Sequence, residues 1–308
     1  MRRILCILLL LCVLPVVGCT DTATTDEGKV HVVATTFPAY DFARAVVGDA
    51  GTVTMLISPG TETHSYDPSP QDIRKIQNCD LFIYGGGESD AWMDGILASI
   101  DMNIPTVAMT EVVSLLKSPH IENPDEEHHH EHSVYDEHVW TSPANAALIV
   151  AAVRDKLAKI DEDNADLYRA QAEAYIKEIE TLDAEFADLV QNAPRKTVLF
   201  ADRFPFLYFV NQYGLTYHAA YPGCAEKTEP GPKTVAMLID MVRDESVPAV
   251  FYTEFSDQRL ADAICEKTDA VKLLFHSCHN LSKKDFVAGE TYVSLMRQNL
   301  NNLRKALY

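Results

Sequence analysis

Residues 165 to 191, "ADLYRAQAEAYIKEIETLDAEFADLVQ", place Tyr175, Ile179, Leu182, Phe186 and Leu189 at steps of three and four. That spacing collects apolar side chains on one stripe of an α-helix. At about 1.5 Å per residue the helix would extend roughly 40 Å, enough to cross from one folded unit to another. It is neither a repeat nor long enough for a coiled coil. On its N-terminal side the chain alternates strand-like and helical runs: "KVHVVATT", "PAYDFARAVVG" ending at Gly48, "TVTMLIS", "PSPQDIRKIQN" with Ser69 as cap and Pro70 opening the helix, "DLFIYGGG" and "IPTVAM". A capped helix at Ser142-Pro143 precedes the long one, and a second alternating series follows: "KTVLFAD", "PFLYFVNQYG", "LTYHAAYPG", "TVAMLIDMVRDESV", "PAVFYTE", "QRLADAICEKT", "AVKLLFHS" and a final helix through Leu300. Strands separated by helices of this length imply parallel βαβ units. The expected fold is α/β, with two lobes, each a mostly parallel sheet flanked by helices, joined by one long connecting helix. A ligand is expected in the crevice beyond the carboxyl ends of the strands, between the lobes.

The predicted divisions are a signal peptide at 1–18, a lipidated flexible stalk at 19–29, an N-terminal lobe at 30–142 with a histidine-rich loop at 119–137, linking helices at 143–192 and a C-terminal lobe at 193–308. Met1-Arg2-Arg3 followed by an apolar run to Val17 reads as a secretory leader. The run is about fourteen residues, short of the roughly eighteen needed to span a membrane. "VVGC" looks like a lipobox, with Cys19 acylated as the first mature residue and the protein tethered outside the cytoplasm to the cell membrane; plain secretion with Cys19 incidental is the alternative. A net charge of -19, with no basic cluster interleaved with aromatics, argues against nucleic acid as a partner. Cys79, Cys224, Cys265 and Cys278 form no CxxC, so neither a zinc ribbon nor a thioredoxin motif is indicated; one disulfide among the last three stays open. The GGG at 85–87 lacks nucleotide-loop spacing and reads as a turn.

Histidines supply the remaining signal. His64 lies in the loop "SPGTETHSYDPSPQD", His138 in "YDEHVWTSP" beside Trp140, and His276 in "LLFHSCHN" directly after an apolar strand. Each alone could be a surface, packing or carbonyl-satisfied histidine. Together they offer imidazoles from several strand-end loops, which suits a borderline cation such as zinc. Immediately before His138, the histidines His128, His129, His130 and His132 stand among carboxylates without apolar periodicity, as expected of a loop that binds zinc weakly or is merely solvated. Cys224 and Cys278 read as buried thiols or a disulfide, Glu229 as support for the next helix, and the aromatics of "RFPFLYF" as core.

"PGTETHSYDPSPQDI" and "DEHVWTSP" resemble two signatures of the zinc- and manganese-binding lipoproteins that feed ABC importers, and the histidine-rich insertion resembles the zinc-importing branch. The resemblance covers nearly the whole mature chain. It implies metal ligation by His64 and His138, capture of Zn2+ in an interlobe cleft, a permease and its ATPase as partners, and a monomer without enzymatic activity. Its third ligand position falls on Arg203, whose guanidinium has no lone pair to give; neighbouring Asp202 is the substitute considered, against a role as ion-pair partner or helix cap. Its fourth falls on His276, with Glu254 as the expected hydrogen-bond partner of a ligating imidazole. A site of His64, His138 and His276 with Asp202 or water would be nitrogen-rich and favour Zn2+ over Mn2+. A manganese importer component is the alternative within the family. A zinc hydrolase would need an open coordination position and a base such as Glu254, but no HExxH or GxSxG is present. A surface adhesin with incidental metal is the third reading.

Overall fold

The computed structural model describes residues 29–99, 104–118, 135–221 and 230–308. The signal peptide, Cys19, the stalk up to residue 28, His128, His129, His130, His132, Cys224 and Glu229 lie outside the described residues. Strands β1 (Val30–Ala34), β2 (Gly51–Met55), β3 (Leu81–Tyr84) and β4 (Thr106–Ala108) form one parallel sheet in the order β2-β1-β3-β4. Strands β5 (Thr197–Phe200), β6 (Thr216–Ala219), β7 (Ala249–Tyr252) and β8 (Val271–Leu274) form the other in the matching order β6-β5-β7-β8. In both, the chain reverses its direction of strand addition beside the first strand of the lobe, which opens a crevice at the carboxyl ends of the strands.

The helices of the first lobe are α1 (Phe37–Val47), α2 (Pro70–Gln77) and α3 (Trp92–Ser99). Two helices link the lobes, α4 (Pro143–Ile160) and the 28-residue α5 (Ala165–Asn192), and the second lobe carries α6 (Leu207–Tyr213), α7 (Pro232–Asp244), α8 (Arg259–Cys265), α9 (Lys283–Ala288) and α10 (Tyr292–Leu307). The expected caps form: Ser69 and Asp72 make a reciprocal capping box on α2, and the Ser142 hydroxyl accepts from Asn145 N–H on α4. The last helix continues past Leu300 because Leu303, Ala306 and Leu307 are buried. Among the described residues no helix is long and apolar enough to cross a membrane. Cys265 and Cys278 are both free thiols.

Strand periodicity sends the two faces of each sheet into different cores. Val32, Ala34, Leu81 and Ile83 join Ile179, Leu182, Phe186 and Leu189 of α5 and Val198, Phe200, Ala249 and Phe251 of the other sheet in one continuous apolar cluster. The opposite faces make private cores, Val33 and Phe82 with Ile76 and Met93 in the first lobe, Leu199 and Val250 with Leu238 and Ile264 in the second. The lobes therefore share their principal core across the long helix. The aromatics read as core in "RFPFLYF" belong to it: Phe206 and Phe209 pack on Phe275 with ring centroids 5.0 and 5.2 Å apart, and so anchor the chain just beyond β8.

One buried carboxylate ties the three elements at the lobe junction. Asp41 on α1, 1 % exposed, accepts from Arg44 Nη2 at 2.6 Å, from the Tyr175 hydroxyl on α5, and from the N–H of Tyr292, the first residue of α10, at 2.9 Å. That last donor is one of the N–H groups a helix cannot satisfy within itself. Replacing Asp41 with alanine strands the Tyr175 hydroxyl and the Tyr292 N–H, while Arg44, 39% exposed, can turn to water; the expected loss is about 2–5 kcal/mol of unfolding free energy in urea titrations. A second buried acid, Asp90, accepts from Gly85 N–H at 2.6 Å and Gly86 N–H at 3.2 Å in the turn after β3. Burial pushes its carboxyl up to about 6, with the Glu137 charge adding to the rise. The folded state then holds a proton that the unfolded chain has released, so this group's contribution falls as pH climbs from its unfolded value of 3.8 through about 6. Asp90→Asn keeps an oxygen for both N–H groups and should flatten the pH dependence of the urea midpoint across that window.

Candidate metal centre

Three imidazoles from three separate loop segments meet at the crevice. His64 comes from the loop after β2, His138 from the turn before α4 and His279 from the segment after β8, and their potential ligand atoms lie within 4.8 Å of one another. Ring centroids are 5.6 Å apart for His64 and His138, 4.8 Å for His64 and His279, and 5.3 Å for His138 and His279. Among the described residues this is the one group of three or more histidine, cysteine or carboxylate side chains close enough to hold a metal ion.

Each ring is held through Nδ1. His64 Nδ1 donates to Glu62 Oε1 at 3.0 Å, His138 Nδ1 donates to Asp136 Oδ1 at 3.0 Å, and His279 Nδ1 lies 3.1 Å from the Thr63 hydroxyl. A carboxylate can only accept, so for His64 and His138 the neutral ring carries its proton on Nδ1 and its lone pair on Nε2. Asp136 Oδ1 also accepts the backbone N–H of His138 at 2.8 Å, and so fixes ring and backbone together. Glu62 is held in turn from the other lobe, where Arg203 Nη1 donates to Oε2 at 3.3 Å. The hydrogen bond from His64, with Arg203 adding to it against the opposing effect of burial, keeps the Glu62 carboxyl down at about 2. Burial holds His279 well below the ordinary histidine value, and positive charge on His64 or His138 would lower it further. His279 is therefore neutral near pH 7, and an incoming cation need not displace a second proton from it.

The second lobe's histidine is His279, not His276, and the backbone explains the exchange. Asn299 on α10 grips the backbone of His276, accepting its N–H at 2.6 Å and donating to its carbonyl at 2.8 Å. The ring turns back on its own chain, with Nδ1 accepting from Cys278 N–H at 2.9 Å. The chain then turns at Cys278, in the left-handed region at φ 59°, and delivers His279 to the cluster. Beyond it Asn280 Nδ2 donates to the carbonyls of Ser58 and Thr61, 2.9 Å each, which locks this segment to the loop bearing His64. Trp140 closes the floor: its indole N–H donates to Ser277 O at 3.0 Å and its ring lies 4.8 Å from that of His279. On the His138 side, the Tyr208 hydroxyl of α6 donates to Asp136 O at 2.8 Å.

Asp202 is likewise not brought to the cluster. Its Oδ1 accepts Arg203 N–H at 2.8 Å and its Oδ2 accepts the Thr253 N–H and hydroxyl at 2.9 and 2.7 Å, so it joins the loops after β5 and β7. Glu254, expected beneath a ligating imidazole, accepts Ser277 N–H at 2.9 Å and the Ser277 hydroxyl at 2.5 Å, and stands 3.8 Å from His276 Nδ1. The acids that hold cluster imidazoles are instead Glu62 and Asp136. Each stands two residues before its histidine, in "ETH" and "DEH", a carboxylate-x-His spacing readable in the chain but not used to identify them.

The profile of the family described as zinc-uptake complex component A, periplasmic (ZnuA), matches residues 32–306. The chain is 31% identical over 308 residues to the zinc-binding lipoprotein AdcA of Streptococcus pneumoniae, covering 99% of this chain and 61% of that one, so it spans about three fifths of that relative's length. It is 28% identical to the high-affinity zinc uptake system protein ZnuA of Bacillus subtilis over 96% of this chain and 95% of that one. The crystal structure of the Zn(II)-bound ZnuA-like domain of Streptococcus pneumoniae AdcA superposes with a TM-score of 0.76 at 29% identity, over 91% of this chain and 99% of that domain. Two parallel sheets on one long helix, an imidazole cluster between them and a family match over nearly the entire folded chain agree: the protein belongs to the ZnuA family of zinc-uptake components.

Proposed function

We propose that the protein is the extracytoplasmic solute-binding component of an ABC importer, which captures Zn2+ in the interlobe crevice and delivers it to a membrane permease and its ATPase. The observation that carries this reading is the convergence of His64, His138 and His279 from both lobes, with Nδ1 of each already engaged. Three imidazoles are a donor set that suits zinc, whereas manganese prefers more oxygen. Acylation at Cys19 keeps the protein at the membrane surface, and His128, His129, His130 and His132 gather zinc weakly. One copy of the chain suffices to build the site, so it works as a monomer. No nucleophile, activated water or substrate-sized chemistry is required of it, and the role is binding rather than catalysis.

The shared core and the 28-residue helix resist a wide hinge opening, so release proceeds through small tilts or loop shifts that separate His279 from the two N-lobe histidines. Competition titration of the mature protein against a chromophoric zinc chelator tests the assignment. His64→Ala, His138→Ala and His279→Ala should each weaken binding by more than about 100-fold, beyond the roughly 10–100-fold that loss of a supporting group costs. His276→Ala should change zinc affinity by no more than a few-fold while lowering the urea midpoint. Absence of tight one-to-one zinc binding in the wild type would overturn the function.

In the same titration, deleting residues 126–132 should remove weakly held zinc equivalents and leave the tight equivalent unchanged. Loss of the tight equivalent in that deletion would show that the histidine-rich segment belongs to the site itself.

A further inference from the structure

Three imidazoles leave a four-coordinate ion one ligand short. The C-terminal lobe does not complete it from the expected positions: Arg203 has no lone pair, and the Asp202 carboxylate turns to Thr253 and the Arg203 backbone rather than to an imidazole of the cluster. On the N-terminal lobe a carboxylate stands on the ligating side of His64. Glu137 Oε1 lies 3.6 Å from His64 Nε2, while Glu62 Oε1 holds Nδ1 of the same ring at 3.0 Å. The two acids divide the imidazole between them. Glu62, on the Nδ1 side, orients the ring, whereas Glu137 faces the nitrogen that carries the lone pair. With zinc bonds of about 2.0–2.1 Å, neighbouring ligand atoms of a tetrahedral site are about 3.3–3.4 Å apart. The separation of His64 Nε2 and Glu137 Oε1 is close to one edge of that tetrahedron, while Glu137 stands outside the group of ligand atoms that lie within 4.8 Å of one another, so binding would draw its carboxylate further toward His138 and His279.

We propose that Glu137 Oε1 is the fourth zinc ligand, a carboxylate from the N-terminal lobe that replaces the ligand lost at Arg203. The assignment rests on the zinc-binding function proposed above. Glu137 is built into its place by the glycine loop after β3. Ser89 N–H donates to Oε2 at 2.9 Å and the Ser89 hydroxyl donates to Oε1. A Cβ at Gly87 would come within 2.2 Å of both Cβ and Oε2 of Glu137, so only glycine there admits the side chain. The Glu137 side chain is 12% exposed and lines the same cleft as Thr63, Trp140 and His279. A carboxylate oxygen has two lone pairs, so Oε1 can accept from Ser89 and still bind the ion, the arrangement by which ligating carboxylates are usually steadied. Three of the four ligands then come from the first lobe and one, His279, from the second. Capture would begin on the N-terminal lobe, and the contact to His279 would report closure.

Two measurements on the mature chain test the proposal. In a zinc-soaked crystal of the wild type, Glu137 Oε1 is expected about 2.0–2.2 Å from the ion. In solution, Glu137→Gln should weaken zinc binding at least about 10-fold and shift the visible ligand-field bands of bound Co2+, a readout that a purely structural side chain would leave in place. Wild type that binds zinc tightly with water in the fourth position and Glu137 Oε1 beyond about 3 Å would overturn the Glu137 assignment alone, leaving the zinc-binding function standing. Unchanged affinity and unchanged Co2+ bands in a folded Glu137→Gln protein would do the same. Wild type without tight zinc binding would overturn both. The crystal measurement needs no variant, so it decides the matter even if Glu137→Gln does not fold.

Discussion

The Asp41 carboxylate is buried where α1, α5 and α10 meet, and the mutual placement of the lobes depends on it. A carboxylate taken out of water is costly unless its lone pairs are filled, and here a guanidinium, a phenol and a helix-terminal N–H fill them. Because those donors come from the first lobe, the linking helix and the last helix, the group is satisfied only when all three are assembled. Around it the shared apolar cluster supplies the bulk of the stabilisation and the carboxylate supplies direction. The last helix so placed carries Asn299, which grips His276 and fixes where the chain turns toward His279. A contact at the lobe junction thus governs which histidine reaches the crevice.

At the crevice the physics is that of orientation before charge. The three rings are held through Nδ1 by two carboxylates and a hydroxyl, so little side-chain freedom remains to be lost when a cation arrives. The cross-lobe bonds from Arg203 to Glu62, from Tyr208 to Asp136 and from Asn280 to the loop carrying His64 make each lobe's histidines depend on the other lobe. Arg203, which cannot bind a cation, is here a clamp on the acid that orients His64. Its positive charge also helps keep Glu62 ionised. The site is consequently sensitive to small relative displacements of the lobes without needing a large hinge.

The sequence determined the architecture because its signals are local. Alternating strand and helix runs, proline-opened helices capped by Ser69 and Ser142, and the stripe from Tyr175 to Leu189 each follow from the period of one element. His64 and His138 were likewise legible, since each sits in an extended local pattern immediately before a capped helix. Tertiary structure decided the rest. Whether His276 or His279 faces the crevice turns on Asn299, 23 residues further along the chain, and on a left-handed residue at Cys278, neither of which has a sequence period. Asp202 was attractive by adjacency, yet it is drawn to Thr253, in the loop after a strand that neighbours its own only in the folded sheet. The glycines at 85–87 read as a turn, and they do form one, but that Gly87 makes room for Glu137 is a contact across 50 residues that no local pattern encodes. Local spacing specifies elements and their caps; which side chains converge at a metal centre is set by packing between elements far apart in the chain.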